Sequence, residues 1–324
     1  MMLLAICVAL ALEQFRPLPM DRLVRAPVAW LAAWLEQKLN DGVRLHGGIA
    51  WALGAALPAF ALLILQLTIH PLLTWLLACG VLYLTMGFRQ FSHFFTDIHL
   101  ALRVGDLDRA RRILAEWRGR PGELLSSSEV ARLAIEQALP LANRHVFAPL
   151  LWFVLLGPAG ALLYRLTHLL DACWRVPAQR TTDLPADAAP LDVTTAEAGE
   201  FGWFAHRAFS LLDWLPVRLT AIAFAVAGNF EDAVNCWRTQ AANWPDRDNA
   251  VLLASGAGAL GVRLGMPVRD AARPWEAADV RPELGVGEDA DADFMQSTIG
   301  LVWRSLVGCL AVLALMEVSA WIIG

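Results

Sequence analysis

The chain has 324 residues, of which 57% are hydrophobic and only 18% charged, with a formal net charge of -5 and a mean hydropathy of +0.48. That balance is far more apolar than an ordinary soluble domain and places the chain in a lipid bilayer. It excludes a nucleic-acid binder, because the arginines crowd between 89 and 144 without forming a basic tract, and five scattered cysteines without CxxC spacing exclude a zinc ribbon or a disulfide framework.

The opening MMLLAICVALALEQF has no basic residue ahead of its apolar run and no small-residue cleavage pattern, so it reads as a retained membrane or interfacial helix. The segments 47 to 69 and 71 to 88 are each near the length needed to cross about 30 Å of hydrocarbon, with His70-Pro71 as the tight turn between them. The flanks of this hairpin, 13 to 46 and 88 to 146, carry Arg16, Arg22, Arg25, Lys38, Arg44 and many later arginines, and the tip carries none. By the positive-inside rule both flanks are cytoplasmic.

Residues 89 to 146 then form a helical insertion too polar to span. Asp106 is placed to cap a helix with Ile113, Leu114 and Trp117 on its apolar face, Gly119 and Pro121 end it, and Ser126 with Glu129 fits a capping box before a second helix. Together they read as a helical hairpin on the cytoplasmic surface. The stretch 147 to 180 returns to the membrane, interrupted at Gly157-Pro158, with Arg165 near the far end where a long cation can snorkel. An acidic, Pro-rich loop follows at 181 to 210, then short apolar helices at 211 to 265, an acidic loop at 266 to 298, and a membrane anchor at 299 to 324. No strand-like alternation is evident. After the membrane region 1 to 88, then, the expected architecture is all-α and polytopic with a cytoplasmic insertion.

Chemistry-bearing residues concentrate at the membrane boundary. In RQFSHFFTDIH, Arg89, His93 and Asp97 recur every four residues and share one helix face, where Arg can hold an anion and His titrates near neutral pH; the same stripe also suits a wet helix edge. Arg144 and His145 can join that boundary from the next helix. Asp213 and Arg218 lie in the apolar run LLDWLPVRL, and ionisable groups at membrane depth are functional candidates, although a buried ion pair explains them equally well. Glu136 completes the set. The glycines of SGAGALG before Arg263 lack the lysine and hydroxyl of a P-loop, and small residues in apolar helices more often mediate close packing. Trp203, Trp214, Trp237, Trp244 and Trp303 read as interfacial belt residues.

The ordered blocks HLALRVGDLDRARRIL, FSLLDWLPVRLTA and GALGVRLG, with APLLWF and YRLTHLLD between the first two, resemble the CobD/CbiB superfamily, which also contains the AmpE proteins. For its synthase branch the resemblance implies ATP-driven amide formation between adenosylcobyric acid and an aminopropanol phosphate, at the bacterial inner (cytoplasmic) membrane. Mg²⁺ and ATP would be needed only in that case, and no cofactor is otherwise expected.

The chain departs from the branch's acidic pattern. Gly119-Arg120-Pro121 replaces Gly-Arg-Asp. Ala134, Ile135 and Glu136 persist, but Pro140-Leu141 and Arg144-His145 stand at later acidic positions, and Phe209-Ser210 replaces paired aspartates. NRHVFAPLLW, LLDWLPVRL and AGNFEDAVNCW look more like AmpE, associated with β-lactamase-linked envelope signalling. The expectation is therefore a divergent member that binds an anionic small molecule, a corrinoid or a membrane-protein partner, the alternative being the synthase itself. The candidate ligand-binding residues are Arg89, His93, Asp97, Glu136, Arg144, His145, Asp213 and Arg218, with no resident metal.

Overall fold

The computed structural model describes residues 2–15, 21–120, 122–175, 199–244, 247–268 and 281–323. It is overwhelmingly helical, as the composition requires, and four of its helices are long and apolar enough to cross a membrane: Arg44–Thr68, Ser127–Arg175, Trp203–Ala227 and Ala292–Ile322. The expected loop over 181 to 198 lies outside the described residues. The described residues fall into two compact units, the first drawn from 2–89, 144–175 and 199–216, the second from 90–143 and 217–323.

In unit 1, α1 (Met2–Phe15) packs on α5 (Pro71–Thr85), and α2 (Ala26–Leu39), α4 (Leu57–Thr68) and α5 all pack on α9 (Ala148–Arg175). A wide turn, Ala52–Ala56, joins α3 (Arg44–Trp51) to α4, so that the first candidate span is one run of 25 residues. The expected turn at 70 is present, with His70 Nδ1 accepting from Leu72 N–H at 3.3 Å. α5 has 15 residues, about 22 Å of helix, and is shorter than the full span expected of 71 to 88. The core joins Ala32, Leu35, Ala55, Leu170, Trp174 and Phe201. The close approach depends on Gly54, where an added Cβ would lie 2.9 Å from Leu170 Cδ1.

Unit 2 contains α6 (Phe88–Arg103) from Gln90 onward, α7 (Leu107–Arg118), α8 (Ser127–Ala142), α11 (Phe230–Gln240), α12 (Arg247–Leu260) and α13 (Ala292–Ile323); α10 (Trp203–Ala227) enters it from Val217. The caps are those read from sequence. Asp106 accepts from Arg109 N–H, Gly119 adopts a left-handed conformation after α7, and Ser126 and Glu129 complete a reciprocal capping box. The position of α8 differs from expectation. Every residue from Val130 to Ala142 is buried, with α12 and α13 packed against it, so α8 is a central element of this unit and not a surface helix. Its sequence explains this: VARLAIEQALPLA is apolar almost all round, with only Arg132, Glu136 and Gln137 polar, and such a helix has no face to give to water.

Two further differences fall in the C-terminal third. The acidic stretch expected as a loop contains two short strands, β2 (Glu283–Leu284) and β3 (Glu288–Asp289), which flank β1 (Val262–Gly265) in a three-stranded sheet of order β2-β1-β3. Strands of two to four residues leave no alternation for a sequence window to detect. α13 begins at Ala292, inside the expected loop, and runs 32 residues; its later half exposes Val312, Leu315, Met316, Val318 and Trp321, as a lipid-facing helix should.

Candidate functional site

The unit 1 constellation depends on one glycine. α9 is not straight: Gly157 has φ 67° and ψ -158°, a region open essentially to glycine alone. In a continuous helix residues 145 and 165 would stand about 30 Å apart, yet Arg165 Nη1 lies 3.1 Å from His145 Nδ1. The chain therefore folds back at Gly157-Pro158, the interruption read from sequence. The two arms press so closely that a Cβ on Gly160 would lie 2.3 Å from Trp152 O.

This reversal assembles a polar cluster inside an apolar setting. His145 and Arg165 are each 1% exposed. Because arginine can only donate, His145 Nδ1 must accept, which requires a neutral ring with its proton on Nε2. The His145 and His168 rings meet edge to face at 6.2 Å, and His168 lies 5.0 Å from Phe209, whose ring also carries the Arg144 guanidinium at 5.7 Å. Arg25 is within electrostatic reach of both histidines and of Arg165. Asp213 is buried and accepts from Tyr164 O–H at 2.7 Å. At the end of α9, Asp171 pairs with Arg175 at 2.8 Å and with His206 at 3.4 Å.

Of the eight candidates, the structure thus brings Arg144, His145 and Asp213 into one neighbourhood. Arg165 is corrected: it does not snorkel, because it sits eight residues past the bend, about 12 Å along its arm, with its guanidinium turned inward. Arg165, His168 and Tyr164 are the site residues that sequence reasoning passed over, although all three lie in the block YRLTHLLD.

Glu136 belongs to unit 2. Its carboxylate is buried, accepting from Gly265 N–H at 2.7 Å and from Arg281 Nη1 at 2.7 Å. Arg132, one turn earlier on α8, is also buried and electrostatically coupled to both. Trp244, expected at an interface, is 7% exposed and lies under the Arg281 guanidinium at 5.7 Å. The glycines of SGAGALG serve packing: a Cβ on Gly258 would lie 2.5 Å from Asp232 O, on the neighbouring α11. Arg263 pairs with Asp289 at 2.9 Å.

The opening stripe lies along α6. Arg89, in unit 1, is exposed, its backbone N–H donating to Glu13 Oε1 at 3.3 Å and its guanidinium to Gln14 O at 3.2 Å. His93 and Asp97, in unit 2, are exposed, and the His93 ring lies tilted against Phe94, centroids 4.1 Å apart. Arg218 is half-buried on α10 in unit 2. Among the described residues no group of three or more His, Cys, Asp or Glu is placed to hold a metal ion. The buried ionisable groups include Arg165, His145 and Asp213 in unit 1 and Arg132, Arg281 and Glu136 in unit 2, and the guanidinium groups among them suit anions.

These features define a polytopic helical membrane protein with buried cationic clusters. The sequence matches the CobD/Cbib protein family over residues 6–298, and the chain belongs to that family. It is similar to the cobalamin biosynthesis protein CobD of Stutzerimonas stutzeri (37% identical over 280 residues, 85% of each chain). It is also similar to the protein of that name from Chromobacterium violaceum (35% over 264 residues, 82% of this chain and 77% of the relative). The cobalamin biosynthesis protein CbiB of Salmonella typhimurium is 25% identical over 287 residues, 85% of this chain and 82% of its own. No solved structure matches.

Proposed function

We propose that the protein performs the amide-forming step implied by its family resemblance, joining an aminopropanol phosphate to the carboxylate of adenosylcobyric acid at the expense of ATP, in the bacterial inner membrane. The observation that carries this reading is the 37% identity to a cobalamin biosynthesis protein across 85% of both chains. It is supported by chemistry: both substrates are anionic, and the chain buries arginines in two separate constellations where a soluble surface would have kept them wet. The AmpE-like signalling reading has only the likeness of short blocks behind it, and the comparisons favour biosynthesis over it. The buried arginines are assigned to holding and orienting anions.

The test is direct. Detergent-purified protein given ATP, Mg²⁺, adenosylcobyric acid and aminopropanol phosphate should yield adenosylcobinamide phosphate, and the gene should restore cobalamin synthesis to a bacterial strain deleted for its own CobD relative. Folded protein that forms no amide and does not complement would remove the reading. Reporter fusions after Trp117 should read as cytoplasmic, following the arginine distribution.

A further inference from the structure

We propose that the inner edge of Arg165 in unit 1 is an oxyanion-binding site, taking a phosphate monoester or a carboxylate through two parallel N–H···O bonds. The inference rests on side-chain geometry and not on the amide-forming reading.

A guanidinium presents Nε–H and one Nη2–H along the same edge, spaced to meet two oxygens of one carboxylate or phosphate. This chain shows that edge in use twice. Arg44 Nε and Nη2 donate to the two oxygens of Glu200, and Arg175 places Nε and Nη2 on the two oxygens of Asp171 at 3.1 and 2.8 Å. Arg165 is far more buried than either, at 1% exposure, yet its Nε and Nη2 have no hydrogen-bond partner in the protein. Its remaining nitrogen, Nη1, faces His145 Nδ1, so the residue is held in place by a neutral ring and meets no carboxylate.

The surroundings are cationic. Arg25 and Arg144 act electrostatically on the same histidines as Arg165 does. His168, one turn after Arg165 and against Phe209, has a buried Nδ1 with no protein partner. Of the nearby acids, Asp213 accepts the Tyr164 O–H on Oδ1, and Glu13 acts on Arg165 through the field; neither makes a hydrogen bond to Arg165 Nε or Nη2. A buried charge without a partner is strongly disfavoured, and an anion at the unpartnered Nε and Nη2 edge of Arg165 would compensate it. Phosphate monoesters and carboxylates both supply the required pair of oxygens.

The experiment uses the full chain in a detergent free of phosphate groups, titrated with inorganic phosphate and followed by ³¹P line broadening and by melting temperature. Wild type should bind saturably and be stabilised. Arg165→Lys keeps the charge and loses the paired donors, so its affinity should fall at least tenfold, whereas Arg44→Lys should bind as wild type does. Displacement of phosphate by acetate would assign the site to carboxylates as well, and resistance to acetate would assign it to phosphates, each supporting an oxyanion site. If Arg165→Lys does not fold, His168→Phe, which keeps a ring against Phe209, should weaken binding three- to tenfold. No saturable phosphate or acetate binding to wild type, or undiminished binding by the folded Arg165→Lys or His168→Phe protein, would overturn the proposal. Phosphate binding without amide formation would leave this site standing and remove only the enzymatic reading.

Discussion

Two buried arginines, one in each unit, show what an internal partner changes. In unit 2 Arg281 reaches Glu136 at 2.7 Å, and the same carboxylate also takes the Gly265 N–H. In unit 1 Arg165 has an imidazole at one nitrogen and no carboxylate at all. The first arrangement balances its charge within the chain and secures α8 to the end of β1. The second is stable to the extent that something outside the chain completes it. Burial alone therefore does not separate structural from ligand-directed charge; the partner does.

The largest effect is expected from Glu136→Ala, which removes the carboxylate from Arg281 and leaves the Gly265 N–H without its acceptor. Removing one member of a buried pair costs about 3–5 kcal/mol, read as a fall in melting temperature in detergent. Arg165→Met should move the other way: without an anion present it deletes a buried charge that meets no carboxylate, so the melting temperature in detergent should hold or rise. If both variants were destabilised alike, the contrast between the two arginines would fail. Gly157→Ala forces an L residue into φ 67°, ψ -158°, a strain of about 1–3 kcal/mol. It should also weaken phosphate binding without altering any charged group in the cluster. Ser126→Ala removes half of the capping box at the start of α8 and should cost about 1 kcal/mol, seen as faster amide exchange in the first turn.

The smallest effect concerns acid. Burial first, then the charge of Arg103, lowers the His99 pKa below its ordinary value, with Asp293 acting in opposition. Below about pH 6.5, the ordinary histidine value, the unfolded chain takes up a proton that the folded chain resists. Stability is then lost as pH falls, until the depressed folded value is passed. Melting temperatures from pH 8 to pH 5 should decline in wild type and decline less in His99→Gln.

Much of the fold was legible in particular residues. Asp106, Gly119, Ser126 and Glu129 each announced a helix end through chemistry confined to four residues, and local chemistry survives in a one-dimensional reading. Gly157-Pro158 announced an interruption, but not that the chain doubles back, because a pattern of apolar residues carries no information about one glycine's ψ. Arg165 was misplaced for that reason: on a straight helix it lies toward the far end, and on a folded one it faces His145. Arg144, His145 and Asp213 were found because charge in an apolar run is conspicuous. His168 and Tyr164 were missed because aromatic rings in such a run look like packing, although the block YRLTHLLD had already drawn notice as a unit. α8 was taken for a surface helix because its neighbours are rich in arginine, while its own thirteen buried residues contain only three polar side chains.

The reversal at Gly157 also bears on counting. A hydropathy profile scores Ser127–Arg175 as a single crossing, and every later segment is then assigned a side by alternating from it. A chain that turns back within that stretch returns to the leaflet it left, so the parity of the tally changes and the inferred location of the C-terminus changes with it. Cysteine labelling at positions 144 and 175 by a membrane-impermeant reagent should therefore give the same answer at both.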